Sequence, residues 1–191
     1  MTNTAIFTIG YGKREIADLL AVLQSNQIDY LIDVRSSPYS SYKPEFSQNA
    51  LQAYLEAQGI RYVFMGDLLG GQPDDRECYI DGKVDYARLA QQPNYRAGVE
   101  RLHKASREGR HVVLMCSEGK PENCHRSKLI GQTLSADGIE VLHIDEHDAL
   151  ISQQEVLLRL MGGQPSLFGD QFFTFTSRKK YQDDSDPLDE A

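Results

Sequence analysis

Short apolar runs alternate with helix-type patterns along this chain. Five such runs have the composition of buried strands, and they lie at Ala5–Ile9, Tyr30–Val34, Arg61–Met65, Val112–Met115 and Glu140–Ile144. Four longer segments carry apolar residues at helical spacing, and they lie at Arg14–Asn26, Ser47–Gln58, Pro93–Gly109 and Asp148–Met161. Strands separated by helices of about 10–15 residues are typical of a parallel sheet. The alternation therefore predicts one α/β domain in three layers, with a mostly parallel sheet of about five strands flanked by helices.

Polar and reactive residues gather behind the predicted strands. In a parallel sheet all strands end on the same side, so the loops that follow them share one edge. The residues with functional side chains in these loops are Tyr11, Asp33, Arg35, Asp67, Cys116, Cys124, His125, Arg126 and Asp145. The loops predicted for the opposite edge contain ordinary turn residues. This asymmetry predicts that the functional site lies at the carboxyl edge of the sheet.

The richest of these loops joins the strand Val112–Met115 to the next helix. Cys116 ends the strand, and Cys124 and His125 precede the helix. A cysteine at such a junction tends to have a lowered pKa, so both cysteines are candidate nucleophiles or a redox pair. A histidine beside them can act as a general acid or base, which is the role we predict for His125. The alternative for Cys116 is that of a small buried apolar residue.

Two arginines extend the candidate site. Arg35 and Arg126, if they face one cavity, would form a two-pronged site for a phosphate or a carboxylate. We predict Asp33 as a catalytic residue that orients a partner, and Tyr11 and Ser127 as further substrate contacts. The alternatives are an internal Asp33–Arg35 salt bridge and a structural pairing of Arg126 with a nearby carboxylate.

A metal site is the competing interpretation of the same loop. Cys116, Cys124 and His125 are three potential ligands, and catalytic zinc sites accept three protein ligands and a water molecule. Adjacent residues such as Cys124 and His125 seldom converge on one metal, however, and the chain contains no C-x-x-C pair. The sequence therefore predicts no cofactor, with zinc or iron as the alternative.

Several motifs together resemble a known family. They are TIGYG near the start, IDVRSSP, the segment Gly59–Tyr62 with Leu69–Gly71 after it, and LMCSEGKPENCHRS. In combination they resemble the uncharacterised bacterial family called domain of unknown function 488, or DUF488, over about residues 5 to 145. The resemblance implies a single α/β domain and brings no established activity with it.

The layout is also similar to that of rhodanese-type sulfurtransferases and cysteine phosphatases. In those enzymes a cysteine at a strand end begins an anion-binding loop that leads into a helix. Cys116 would match that cysteine, and Arg126 would match the arginine after the loop. The loop here is longer than the compact loop of those enzymes, and it contains Pro121 and Cys124. The similarity is therefore one of layout.

Composition limits the other classes of function. The net charge is −8, of which the last ten residues contribute −5, so no broad basic surface for non-specific DNA binding is predicted. Three cysteines do not form a disulfide framework. Without a long apolar stretch or a basic leader, the sequence predicts a soluble, cytoplasmic protein with no membrane association.

The C-terminal part differs from the rest. We expect the α/β domain to cover residues 1–163 and a tail to cover residues 164–191. Within the tail, residues 164–181 would pack on the domain or a partner, and residues 182–191 would form a disordered acidic end. The segment Gln164–Phe168 resembles the short peptides that dock on the bacterial DNA sliding clamp, with Leu167 and Phe168 as the apolar anchors.

Two hypotheses of function follow. The first is a thiol-dependent enzyme, a transferase or hydrolase, that uses its Cys/His/Arg site on a small anionic or nucleotide-like substrate. The second is a binding module for DNA replication or repair that docks on a partner through Gln164, Leu167 and Phe168. The sequence favours the first.

Overall fold

The computed structural model of this protein describes residues 3–162 and 175–181. Eight strands lie at Ile6–Gly10 (β1), Tyr30–Asp33 (β2), Arg61–Phe64 (β3), Tyr79–Ile80 (β4), Lys83–Val84 (β5), Val112–Cys116 (β6), Val141–Ile144 (β7) and Leu150–Ser152 (β8). Seven α-helices lie at Ile16–Ser25 (α1), Gln48–Ala57 (α2), Gly66–Leu69 (α3), Tyr86–Leu89 (α4), Pro93–Arg107 (α5), Gln132–Ala136 (α6) and Gln153–Leu160 (α7). Both counts refer to the described ranges.

Six strands form one sheet in the order β3-β2-β6-β1-β7-β8. All neighbours are parallel except β7 and β8, which are antiparallel. Helices α1 and α2 cover one face through a buried cluster that includes Leu19 and Leu51, and α5 and α6 cover the other face. The sequence prediction of a three-layer α/β domain with a mostly parallel sheet is therefore confirmed.

The strand β8 is the main departure from the predicted elements. The sequence pattern predicts a helix from Asp148, but Leu150–Ser152 pairs with β7 instead. The Asp145 carboxylate accepts hydrogen bonds from the backbone of His147 and Ala149, and Asp148 takes a positive φ of 64°, which reverses the chain. The helix then begins at a capping box in which Ser152 and Glu155 accept each other's backbone N–H.

The fully buried strand β6 brings the reactive loop to the middle of the sheet. It lies between β2 and β1, and Gly10 of β1 is in register with Cys116. The chain then passes through a 3-10 turn, Pro121–Asn123, and a π-helical turn, Arg126–Gly131, before α6. π-helical turns are rare and occur frequently at functional sites.

The segment 175–181 packs against the small hairpin of β4 and β5. Ser177 donates its backbone N–H to Val84 and accepts the Val84 N–H with its hydroxyl, at 2.9 and 3.0 Å. The backbone N–H of Tyr181 donates to Gly82 at 2.8 Å. Gln164–Phe168 and residues 182–191, on which the docking and disorder predictions depend, lie outside the described residues.

No helix within residues 3–162 or 175–181 is long and apolar enough to cross a membrane. The predicted cytoplasmic location stays a prediction.

His143 forms a buried polar link between the sheet and α7. Its Nδ1 accepts the Thr8 hydroxyl at 2.6 Å, and its Nε2 donates to the Gln153 side-chain oxygen at 2.7 Å. The Gln153 amide in turn donates to the Ser127 carbonyl at 3.1 Å. His143 is thus a core residue that supports the π-helical turn.

We expect this histidine to make stability depend on pH. Burial lowers the pKa of His143 from 6.5 to about 4, so the unfolded chain binds an extra proton between these values. The free energy of unfolding should therefore fall by roughly 3 kcal/mol as the pH drops from 6.5 to 4. Urea unfolding at several pH values measures this, and His143→Gln should flatten the dependence by about one proton. The exposed His147→Gln control should keep it; equal slopes in the two variants would contradict the expectation.

Candidate functional site

A cavity of about 330 Å³ lies at the carboxyl edge of the sheet, and we call it the edge cavity. The loops after β1, β2 and β6, the loop after α3 and the segment 175–181 all contribute to its wall. Its lining includes the side chains or backbone of Tyr11, Arg35, Tyr39, Gly71, Tyr86, Cys116, Glu118, Cys124, His125, Ser177, Arg178, Lys179 and Tyr181. The structure thus brings Tyr11, Arg35, Cys116, Cys124 and His125 of the predicted site together around one space.

Two thiols face one nitrogen of His125. The Nδ1 atom lies 3.8 Å from the Cys116 sulfur and 3.6 Å from the Cys124 sulfur. The other ring nitrogen, Nε2, lies 3.1 Å from the Val34 carbonyl oxygen. Because a carbonyl can only accept, Nε2 must carry a hydrogen, and in the neutral ring Nδ1 is then the basic nitrogen.

The two thiols differ in acidity. The pKa of Cys116 is lowered well below its usual range, mainly because the Cys124 thiol hydrogen-bonds to it and the His125 ring lies beside it. Burial raises the pKa of Cys124, and a neighbouring Cys116 thiolate raises it further. Cys116 is therefore the more acidic thiol of the pair and Cys124 the less acidic one.

Adjacent residues reach the same point because the backbone changes conformation between them. Cys124 is extended, with φ −115° and ψ 149°, whereas His125 is helical, with φ −62° and ψ −23°. Gly71 makes room for the ring, since a Cβ atom there would lie 2.8 Å from His125 Cγ. We expected adjacent residues to converge on one point only seldom, but Cys124 and His125 do so because the chain bends between them.

Arg35 lies at the inner wall of the cavity and is held by Asp33. The Asp33 carboxylate accepts from Arg35 Nε at 2.9 Å and Nη2 at 2.5 Å, and from the Tyr62 hydroxyl at 2.6 Å. Arg35 Nη2 also donates to the Phe46 carbonyl at 2.8 Å. The remaining nitrogen, Nη1, is buried and has no hydrogen-bond partner among the described residues. An unpaired buried N–H is unfavourable by about 1–3 kcal/mol. The guanidinium also lies over the Tyr11 ring, with Arg35 Cζ 5.4 Å from the ring centroid.

The structure places Asp33 behind Arg35 rather than in the cavity. It is completely buried, and its oxygens are occupied by Arg35 and Tyr62. Asp33 thus orients Arg35, and the predicted internal salt bridge is present. A direct catalytic role for Asp33 does not fit this geometry.

Arg126 and Ser127 also lie away from the cavity wall. The completely buried Arg126 guanidinium donates to the carbonyls of Glu118 and Gly119, and its partners are therefore loop carbonyls rather than an anion. The Ser127 hydroxyl donates to the Pro121 carbonyl at 2.5 Å. Both residues fix the loop between Cys116 and Cys124, so the two-pronged site of Arg35 and Arg126 is not formed. The Arg126 charge still acts on the cluster, where it lowers the pKa of Cys124 against the larger effect of burial.

Sequence reasoning missed the contribution of the segment 175–181. Arg178 pairs with Glu118 of the reactive loop at 2.8 Å, whereas Lys179 forms no ion pair with any described residue. Ser177 and Tyr181 complete this side of the wall. The Arg-Lys-Lys-Tyr run was a possible signal, but nothing local to it indicates where it packs.

The thiol–imidazole cluster could also hold a metal ion. The two cysteine sulfurs and His125 Nδ1 all lie within 4.8 Å of one another. The Nε2–H bond to Val34 is the kind of outer contact that orients metal-binding histidines. A fourth ligand would have to come from the cavity.

These features define an α/β protein with a thiol–imidazole cluster and a buried arginine at the carboxyl edge of a parallel sheet. The chain belongs to the family described as domain of unknown function DUF488, whose model matches residues 15–132. Comparison with curated proteins and with solved structures gave no match. The similarity of layout to rhodanese-type enzymes and cysteine phosphatases stays a prediction.

Proposed function

We propose that this protein is a thiol-dependent enzyme, a transferase or hydrolase, that acts on a small anionic substrate in the edge cavity. The observation that carries the proposal is the position of the Cys116 sulfur, 3.8 Å from the basic nitrogen of His125 and in the same cavity as Arg35. Nucleophile, base and anion-binding group then surround one space, as nucleophilic catalysis requires.

The reaction follows from this arrangement. With its proton transferred to His125 Nδ1, the Cys116 thiolate attacks an electrophilic atom of the substrate, and a bond from sulfur to that atom forms as the bond to the leaving group breaks. The leaving group takes the proton from Nδ1. Water or a second acceptor then gives a proton to Nδ1 and displaces the sulfur, which restores the thiolate.

Two cations support an anionic substrate. Arg35 lines the cavity, but its charge is balanced by Asp33 at 2.5 Å. Lys179 lines the cavity without an ion pair to any residue in the described ranges, so it supplies net positive charge. Arg178 is neutralised by Glu118.

A comparison of two alkylating agents tests the proposal. Iodoacetate is an anion and iodoacetamide is its neutral analogue, so the ratio of their rates at Cys116 reports whether the cavity attracts anions. We expect the ratio at Cys116 to exceed that for glutathione, because Lys179 and Arg35 attract the carboxylate. Removing one charge in Lys179→Gln should lower the ratio about fivefold, which corresponds to about 1 kcal/mol.

Lys180→Gln is the matched control, since Lys180 is the exposed neighbour that does not line the cavity. A ratio at Cys116 equal to that of glutathione, or equal effects of Lys179→Gln and Lys180→Gln, would contradict the proposal. Metal analysis of the purified protein provides a second check. One zinc or iron ion per chain that is lost in Cys124→Ser would assign the cluster to metal binding instead.

A further inference from the structure

The edge cavity is lined by aromatic side chains, which the binding of a simple anion does not require. Four tyrosines line it, namely Tyr11, Tyr39, Tyr86 and Tyr181. Three of them have protein contacts that account for their positions. Tyr11 stacks on Phe46 at 4.3 Å, Tyr86 is buried, and Tyr181 packs edge-on against Tyr79 at 6.3 Å.

Tyr39 is different because its side chain is 73% exposed at the cavity. The backbone on both sides of it is nevertheless fixed. The Pro38 carbonyl accepts the N–H of Gln48 at 2.8 Å, and the Ser47 hydroxyl accepts the N–H of Ser40 at 3.1 Å. The start of α2 thus fixes the backbone from which an exposed aromatic ring extends at the cavity wall.

We propose that the substrate is a mononucleotide, with its phosphate at Arg35 and its base stacked on Tyr39. This inference rests on the proposed function and names its substrate class. Arg35 is 5% exposed and lines the cavity, which places a guanidinium at the cavity wall for the phosphate. Lys179 supplies the net charge that a phosphate monoester requires. The exposed Tyr39 ring at the cavity wall provides the kind of stacking surface on which proteins bind bases.

The size of the cavity limits the ligand to one unit. Its volume of about 330 Å³ lies near the lower end of the range for small-molecule sites, about 300–1,000 Å³. The net charge of −8 also disfavours the binding of a long polyanionic strand. A free mononucleotide therefore fits better than the end of a nucleic-acid strand.

Calorimetric binding of three probes tests the inference. They are adenosine 5′-monophosphate, ribose 5-phosphate and inorganic phosphate, which differ by the base and the sugar. We expect the mononucleotide to bind at least about tenfold more tightly than ribose 5-phosphate, because only it can stack. Tyr39→Ala should reduce that advantage about tenfold and leave phosphate binding unchanged.

Tyr42→Ala is the matched control, since Tyr42 is 92% exposed but does not line the cavity. Both rings lie on the surface, so neither variant should affect folding. Equal affinity for adenosine 5′-monophosphate and ribose 5-phosphate, or equal effects of the two variants, would overturn the inference.

The outcomes separate this inference from the proposed function. If phosphate binds and the base adds nothing, the substrate class is wrong, but the anion site stands. If no probe binds and iodoacetate shows no preference for Cys116, both fail. A fourth probe is a 5′-phosphorylated dinucleotide. If it binds more tightly than the mononucleotide, the ligand is the end of a nucleic-acid strand, and the proposal of a free nucleotide is overturned.

Discussion

At pH 7, iodoacetamide should alkylate Cys116 at least about a hundredfold faster than Cys78 in the same molecule. The pKa of Cys116 is lowered by its hydrogen bond from Cys124 and by His125, whereas that of Cys78 is raised, so a larger fraction of Cys116 than of Cys78 is thiolate at neutral pH. Burial raises the pKa of Cys78, which is completely buried. Mass spectrometry of the two peptides over time gives both rates.

The pH dependence of the two alkylation rates is an independent test of the same prediction. We expect the rate at Cys116 to fall less steeply than the rate at Cys78 as the pH drops from 9 to 7, because the pKa of Cys116 is lowered. The rate at Cys78 should rise with pH throughout. His125→Ala should steepen the Cys116 profile, because the ring that lowers the pKa is lost. Equal and slow labelling of both cysteines would contradict the assignment of Cys116 as nucleophile.

Asp33→Asn should reduce the free energy of unfolding by about 3–5 kcal/mol. The completely buried carboxylate accepts from Arg35 and Tyr62, and an amide can offer only one accepting oxygen to them. The positive charge of the buried Arg35 would also lose its counter-charge. Urea unfolding, with its slope compared between variants, measures the loss.

Asp29→Asn is the matched control for this variant. Asp29 is exposed and precedes β2, four residues before Asp33, so its replacement should change stability by less than about 0.5 kcal/mol. A loss in Asp33→Asn no larger than in Asp29→Asn would show that Arg35 is not held by this pair.

The fold class was predictable because parallel strands buried on both faces form apolar runs that stand out from helical patterns. The strand β8 was not predictable, since Leu150 and Ile151 also fit the helical spacing that continues to Met161. Only the capping box of Ser152 and Glu155 marks where the helix begins. The sequence shows this motif, and it outweighs apolar periodicity at such a boundary.

The candidate site was predictable to the extent that sheet geometry determines it. Cys116 and Arg35 lie at the ends of neighbouring strands β6 and β2, so the topology alone brings them together. The orientation of Arg126 was not predictable. We predicted that it would bind an anion together with Arg35, but its Nη1 and Nη2 atoms donate to the carbonyls of Glu118 and Gly119 instead. Side-chain hydrogen bonds to a long loop depend on the folded path of that loop, which local sequence does not determine.

The position of Lys179 in the cavity was also not predictable, here because the contacts that place it are distant in sequence. It follows β6 by more than 60 residues, and it reaches the cavity only because the backbone of Ser177 pairs with Val84. Such a pairing between irregular segments has no periodic pattern. The sequence therefore predicted that residues 164–181 would pack on the domain or a partner, but not that they would line the site.

Protection of Cys116 by inorganic phosphate is the most direct test that the thiolate and Arg35 share one cavity. The measurement is the rate of alkylation of Cys116 by iodoacetamide at pH 7 as phosphate replaces chloride at constant ionic strength. We expect the rate to fall and to saturate, because a phosphate held by Arg35 blocks access to the sulfur. A rate at Cys116 that is independent of phosphate would contradict the account.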